Sequence, residues 1–177
     1  MGTEFLRIMD SEEVREIIDN IKIKKEIGEV TLEKAYKRVL AGDIKAEIDL
    51  PPFNRASMDG YAVRAEDTFG ASEDNPVILK LTEIVRAGES ASKNVEKGTC
   101  IEVSTGAPVP EGANGVVMVE FTENKDDGIH IHKSTAHGQN IALKGSDVSR
   151  DDLLLKSGTL LTHDKIGVLG ATGIKNV

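Results

Sequence analysis

The sequence predicts an α+β protein, mainly β, in which a β-rich unit is inserted into a small framework of helices and strands. Three observations predict it. Helical apolar stripes occur only before Gly42, short apolar or alternating runs separated by turn residues fill positions 46–151, and one more helical segment follows Thr162. The expected division is residues 1–45 and 152–177 as framework and 46–151 as insert.

The first helix is expected to start at an Asp10-Ser11 cap, with Glu13 completing a capping-box pattern. Val14, Ile17, Ile18 and Ile21 recur at helical spacing, and such a stripe is normally a packing surface. A second helix is expected from Thr31 to Ala41, with Leu32, Ala35, Tyr36, Val39 and Leu40 on one face and Gly42 as its stop. Strands are expected at Tyr61–Arg64, Val77–Val85, Cys100–Ser104, Gly115–Phe121 and Ile129–His132. The turn clusters Asn75-Pro76, Glu111-Gly112, Asn114-Gly115 and Asp127-Gly128 punctuate them. Toward the end, residues 153–161 read as two short strands around Ser157-Gly158. A short helix then has Asp164 in its first turn and Gly173 beyond its end, and Ile174–Val177 reads as the start of a strand that continues elsewhere.

Composition excludes several functions. The net charge is −8, from 30 acidic and 22 basic residues. Nucleic-acid binding needs clustered Lys and Arg to neutralise phosphates, and aromatic residues at 3% offer no stacking platform. No apolar run approaches the roughly 20 residues of a membrane span. Met1–Asp10 lacks the basic start and apolar core of a signal peptide, so a cytoplasmic location is expected. The single cysteine, Cys100, lies in an apolar run and reads as a strand residue.

Four segments carry candidate chemistry. Leu50–Val63 combines Pro51, Pro52 and an Asp59-Gly60 turn, which puts a carboxylate at the tip of a stiff loop. Taken alone, Asp-Gly is more often a plain turn. Ser104–Gly112 ends a strand with Ser104-Thr105-Gly106-Ala107 and two prolines. Its Gly106 and Ala107 N–H groups beside the Thr105 hydroxyl could cradle an oxyanion, or the segment is simply a rigid connection. Asn140–Val148 places Lys144, Gly145 and Asp147 on one loop. Finally, His130 and His132 share a strand face near His137, but no carboxylate stands at metal-ligand spacing, so an exposed strand face is the favoured reading.

Taken together and in this order, the segments resemble the N-terminal half of the molybdopterin molybdotransferase family, which includes MoeA and the E domain of gephyrin. The matching residues are Pro51-Pro52-Phe53, Ser57–Val63, Thr105–Ala113, Val116–Glu120, Gly138–Ile141, Lys144–Asp147 and Gly158–Leu161. The resemblance implies insertion of molybdenum from molybdate into adenylylated molybdopterin. It further implies an elongated homodimer, a requirement for Mg²⁺, and an upstream molybdopterin adenylyltransferase as a partner. It maps catalytic roles to Asp59, Thr105 and Asp147, with Asp59 as the candidate Mg²⁺ ligand. Ser57, Met58, Gly60, Gly106, Ala107 and Lys144 become candidate substrate contacts. Ala142 and Ser146 stand where the family has Arg and Glu, leaving Lys144 as the substitute cation. The family's pterin-binding domain is expected beyond Val177. The alternative is a short non-catalytic homologue that serves as a binding or dimerisation module.

Overall fold

A computed structural model describes residues 8–22 and 26–177. Most of the Met1–Asp10 segment therefore lies outside the described residues. Two α-helices and ten strands are present among the described residues, most of the strands very short. The architecture is α+β and mainly β.

Helix α1 (Ser11–Asp19) is capped by Asp10, whose carboxylate accepts from the Glu12 N–H at 3.2 Å. Its apolar stripe differs from expectation. Val14, Ile17, Ile18 and Ile21 are 40–60% exposed, and no residue of the helix is buried.

The expected helix at 31–41 does not form. A single 3₁₀ turn spans Leu32–Lys34, and Lys37 then adopts a left-handed backbone with φ 60°. The reason is competition for backbone donors. The N–H groups of Lys37 and Leu40 donate to the carbonyls of Leu161 and Thr159, and Val39 bridges Leu160. Those N–H groups cannot also close helical bonds. The apolar residues are still used: Ala35 and Leu40 pack with Leu161 and Leu169 in a cluster flanked by Val30, Leu32, Ile44, Leu154 and Ile166.

The extended segments expected on either side of Ser157-Gly158 are present and join the same pairing. Strand β1 (Ile44–Lys45) runs antiparallel to β10 (Leu153–Leu155), with Ile44 opposite Leu155. The two flanks of the Ser157-Gly158 turn thus pair with the 39–45 segment and not with each other. Helix α2 (His163–Ala171) follows as expected. Gly173, at φ 82°, lets the chain turn back, so that Val30 and Val177 exchange backbone bonds at 2.8 and 2.9 Å.

Between these segments lies a mixed six-stranded sheet. Its strands are β3 (Gly60–Val63), β4 (Val77–Val85), β5 (Thr99–Val103), β6 (Gly115–Met118), β7 (Thr122–Lys125) and β8 (Gly128–Ile131). They lie in the order β6-β3-β5-β4-β8-β7, antiparallel throughout except for β4 alongside β5. Expected boundaries hold to within a residue for β3, β4, β5 and β8. The expected Gly115–Phe121 strand ends at Met118 in a 3₁₀ turn, and β7 was not expected because Thr-Glu-Asn-Lys shows no apolar alternation. Period-2 alternation feeds two apolar clusters. Ala62, Ile101, Val103 and Val116 enter one, while Tyr61, Val63, Cys100 and Val117 enter the other. Cys100 is fully buried, and burial pushes its thiol up to about 12. It is a packing residue.

Candidate functional site

Two further short strands assemble the site. β2 (Arg55–Ala56) pairs with β9 (Ile141–Ala142), so the loop entering β3 is stitched to the segment carrying Lys144 and Asp147. The Thr105 loop joins the same strand: Ala56 donates to the Ala107 carbonyl at 2.9 Å and accepts from Gly106 at 2.8 Å. Asn54 accepts from Val109, and Ser57 donates to the Asn140 carbonyl, each at 2.9 Å. Two segments far apart in sequence therefore converge on residues 54–57.

Asp59 and Thr105 touch directly. One carboxylate oxygen, Asp59 Oδ1, accepts from the Thr105 N–H at 2.6 Å and from its hydroxyl at 2.9 Å. Both bonds favour the ionised form and hold the Asp59 carboxyl below its ordinary value of 3.8. The second oxygen, Oδ2, has no hydrogen-bond partner among the described residues. Gly60 is buried behind it between β5 and β6, where an added Cβ would lie 1.9 Å from the Val117 carbonyl oxygen. Close backbone approach requires glycine here.

Asp147 stands apart from this pair. Its carboxylate lies 3.7 Å from Arg55 Nη2, and no hydrogen bond joins it to Asp59 or Thr105 among the described residues. Lys144 forms an ion pair with Asp49 at 3.3 Å, and its N–H donates to Asn54 Oδ1 at 2.8 Å. The Arg150 N–H and Lys144 hold the Asp49 carboxyl below its usual value. Ser57 and Met58 are exposed on the loop leading to Asp59.

Of the two readings open for Gly106 and Ala107, an oxyanion cradle or a rigid connection, the hydrogen bonds favour the rigid connection. The Gly106 N–H goes to Ala56, the Ala107 N–H to Ser104 at 2.9 Å, and Ala107 is fully buried. These groups shape the Thr105 turn and leave no free donor for an anion. Gly106, at φ 85°, supplies the turn's left-handed residue. Sequence reasoning passed over Arg55, Asn54 and Asp49. Their signal was position alone: each lies within a few residues of Pro51-Pro52, but their partners are distant in the chain.

The two strand histidines each face a carboxylate. His130 Nε2 lies 2.7 Å from Asp127, His132 lies 3.8 Å from Glu123, and no cluster of three ligating side chains exists among the described residues.

Fold and site together define a mainly β module that presents an ionised aspartate from an exposed loop cluster. Comparison with known proteins gives the family. Residues 9–173 match the MoeA N-terminal region (domain I and II), and the chain belongs to that family. It is 40% identical over 166 residues to a Methanocaldococcus jannaschii protein named for molybdopterin biosynthesis, covering 94% of this chain and 39% of that protein. It is 39% identical over 145 residues to molybdopterin molybdenumtransferase 2 of Mycobacterium tuberculosis, covering 82% and 36%. The crystal structure of the molybdopterin biosynthesis MoeA protein from Pyrococcus horikoshii OT3 superposes with a TM-score of 0.85 at 44% identity, covering 94% of this chain and 44% of that one. The chain thus spans about two fifths of the length of these relatives.

Proposed function

We propose that this chain forms one wall of a molybdopterin molybdenumtransferase site, in which molybdenum from molybdate enters adenylylated molybdopterin. The observation that carries the reading is the Asp59–Thr105 clasp, built where the matched motifs meet. By fixing Oδ1, Thr105 leaves Oδ2 as an ionised acceptor at neutral pH. That oxygen fits a Mg²⁺ ion, which commonly takes one or two carboxylates and completes its shell with water and substrate phosphates. Such an ion would neutralise charge on the phosphates.

Asp147 contributes through Arg55, which it holds beside the loop, and Lys144 is positioned by Asp49. Ser57 and Met58 are the exposed residues available to touch substrate. Gly60, Gly106 and Ala107 act through backbone shape. The division into a framework of 1–45 with 152–177 and an insert of 46–151 is supported by the separate cluster around Ala35, Leu40, Leu161 and Leu169. The exposed stripe of α1 supports a homodimer, since a second copy would cover it. An adenylyltransferase partner and a cytoplasmic site of action complete the reading. The described helices include none long and apolar enough to cross a membrane.

The test is a fluorescence titration of adenylylated molybdopterin into the chain, alone and mixed with the remaining portion of a MoeA relative. Asp59→Asn keeps the shape and removes the charge. Its affinity is expected to fall by about tenfold with Mg²⁺ present, with an unchanged circular-dichroism melt. Equal affinity of the two forms would falsify the assignment.

A further inference from the structure

Strand register places a second polar group of residues beside Asp59. Tyr61 lies opposite Glu102 in the antiparallel β3–β5 pair, and Glu102 lies beside Ile84 in the parallel β4–β5 pair. Register partners share a face, so Tyr61, Glu102 and Ile84 form one row across three strands. Continued one residue past the ends of β3, β4 and β5, the same registers would bring Asp59, Ser104 and Arg86 alongside one another. The backbone continues the alignment, because the Ser104 N–H donates to the Val85 carbonyl at 3.1 Å. With neighbouring strands about 4.8 Å apart, that alignment would put about 10 Å between the Asp59 and Arg86 backbones, with Ser104 between them.

The chemistry of this row is unbalanced in an informative way. Two other cations of the loop cluster are engaged: Arg55 with Asp147, and Lys144 with Asp49. Lys93, on the loop after β4, donates to the Thr82 carbonyl. Arg86 is exposed and its guanidinium has no partner among the described residues; its N–H donates to the Glu89 carboxylate and its carbonyl accepts from the Glu89 N–H, each at 3.0 Å. The half-buried Ser104 hydroxyl is likewise unpartnered among the described residues. A planar guanidinium and a hydroxyl presented from adjacent strands suit a tetrahedral oxyanion. Asp59 at the far end would repel a bare anion, but favours one that brings a divalent cation.

We propose that Arg86 and Ser104 form a tetrahedral-oxyanion subsite alongside Asp59, taking either molybdate or a phosphate group of the nucleotide. The identity of the oxyanion rests on the molybdenumtransferase reading; the existence of the subsite does not. Arg86 supplies the charge-assisted bonds and Ser104 a single hydroxyl donor.

The experiment titrates sodium molybdate and inorganic phosphate separately into the chain with magnesium chloride present at low ionic strength, followed by amide and arginine side-chain NMR. Saturable shifts at Arg86, Ser104 and Thr105 are expected. Arg86→Gln should weaken them by about tenfold or more, Arg86→Lys by less, and Arg38→Gln, in the framework, not at all. Tighter molybdate binding assigns the metal oxyanion, and equal or tighter phosphate binding assigns the nucleotide. Unsaturable shifts, or an Arg86→Gln response matching the parent, overturn the subsite. If adenylylated molybdopterin binds with an affinity sensitive to Asp59→Asn and insensitive to Arg86→Gln, the subsite fails while the molybdenumtransferase reading stands. Oxyanion capture by the row in a chain with no pterin-nucleotide affinity supports the subsite and sinks that reading.

Discussion

Gly60→Ala probes the packing that sets Asp59 in place. Gly60 lies in β3, hydrogen-bonded on both sides, with Val103 opposite on β5 and Met118 opposite on β6. A Cβ added there meets the Val117 carbonyl oxygen at 1.9 Å, the Val117 carbonyl carbon at 2.9 Å and Met118 Cα at 3.0 Å. The first contact is short of ordinary van der Waals distance by about 1.5 Å, and every clashing atom is backbone. No rotamer change relieves it, so β6 must move away from β3 by a large fraction of the ~4.8 Å strand spacing and lose ladder bonds. Overpacking of side chains costs about 1–3 kcal/mol, and a backbone clash in a central strand belongs at the top of that range. With a urea slope near ~2 kcal/mol/M, a loss of about 3 kcal/mol lowers the midpoint by about 1.5 M. Gly106→Ala is the comparison. It meets no atom within 4 Å but sits at φ 85°, so it should cost only about 1–2 kcal/mol through backbone strain. Urea melts followed by far-ultraviolet circular dichroism measure both. A Gly60→Ala midpoint equal to or above that of Gly106→Ala refutes the close-approach argument.

Two further outcomes are expected. Thr105→Val removes the hydroxyl donor and keeps the N–H bond, so the Asp59 carboxyl should titrate closer to 3.8 than in the parent. Because folding lowers this group's pKa, its stabilising contribution is present above the unfolded value and fades as pH falls through the folded one. The variant should therefore lose less of that contribution in acid; carboxyl-detected NMR that finds the same midpoint in both proteins contradicts the clasp. Leu169→Ala empties a fully buried position where α2 meets Ala35, Leu40 and Leu161, and should cost about 2–5 kcal/mol by thermal or urea melting. A cost below about 1 kcal/mol would show that α2 is not anchored there.

The β-rich middle was legible because its strands carry strong local signals. Val77–Val85 and the runs around Cys100 and Ile129 are apolar or alternating and bounded by turn residues, and the structure ends them within a residue of expectation. β7 carries no such signal and exists because β8 offers it a partner. Segment 31–41 shows the reverse. Its apolar spacing fits a helix, yet Leu40 and Lys37 give their N–H groups to the terminal segment. The same apolar residues can be buried from either backbone, so periodicity did not discriminate.

The site divides in the same manner. Asp59 and Thr105 were identifiable as polar residues in stiff, proline-flanked loops, and their motifs pointed to the family to which the chain belongs. That Gly106 and Ala107 have no N–H to spare, and that Asp147 meets Arg55, depended on how distant segments fold together. What the sequence alone determined was local: stiff turns, strand alternation, and which residue types stand at each loop tip. Tertiary structure decided the allocation of each donor and acceptor. A backbone N–H or a carboxylate oxygen has few bonds to make, and which partner takes them depends on segments that only folding brings within about 3 Å.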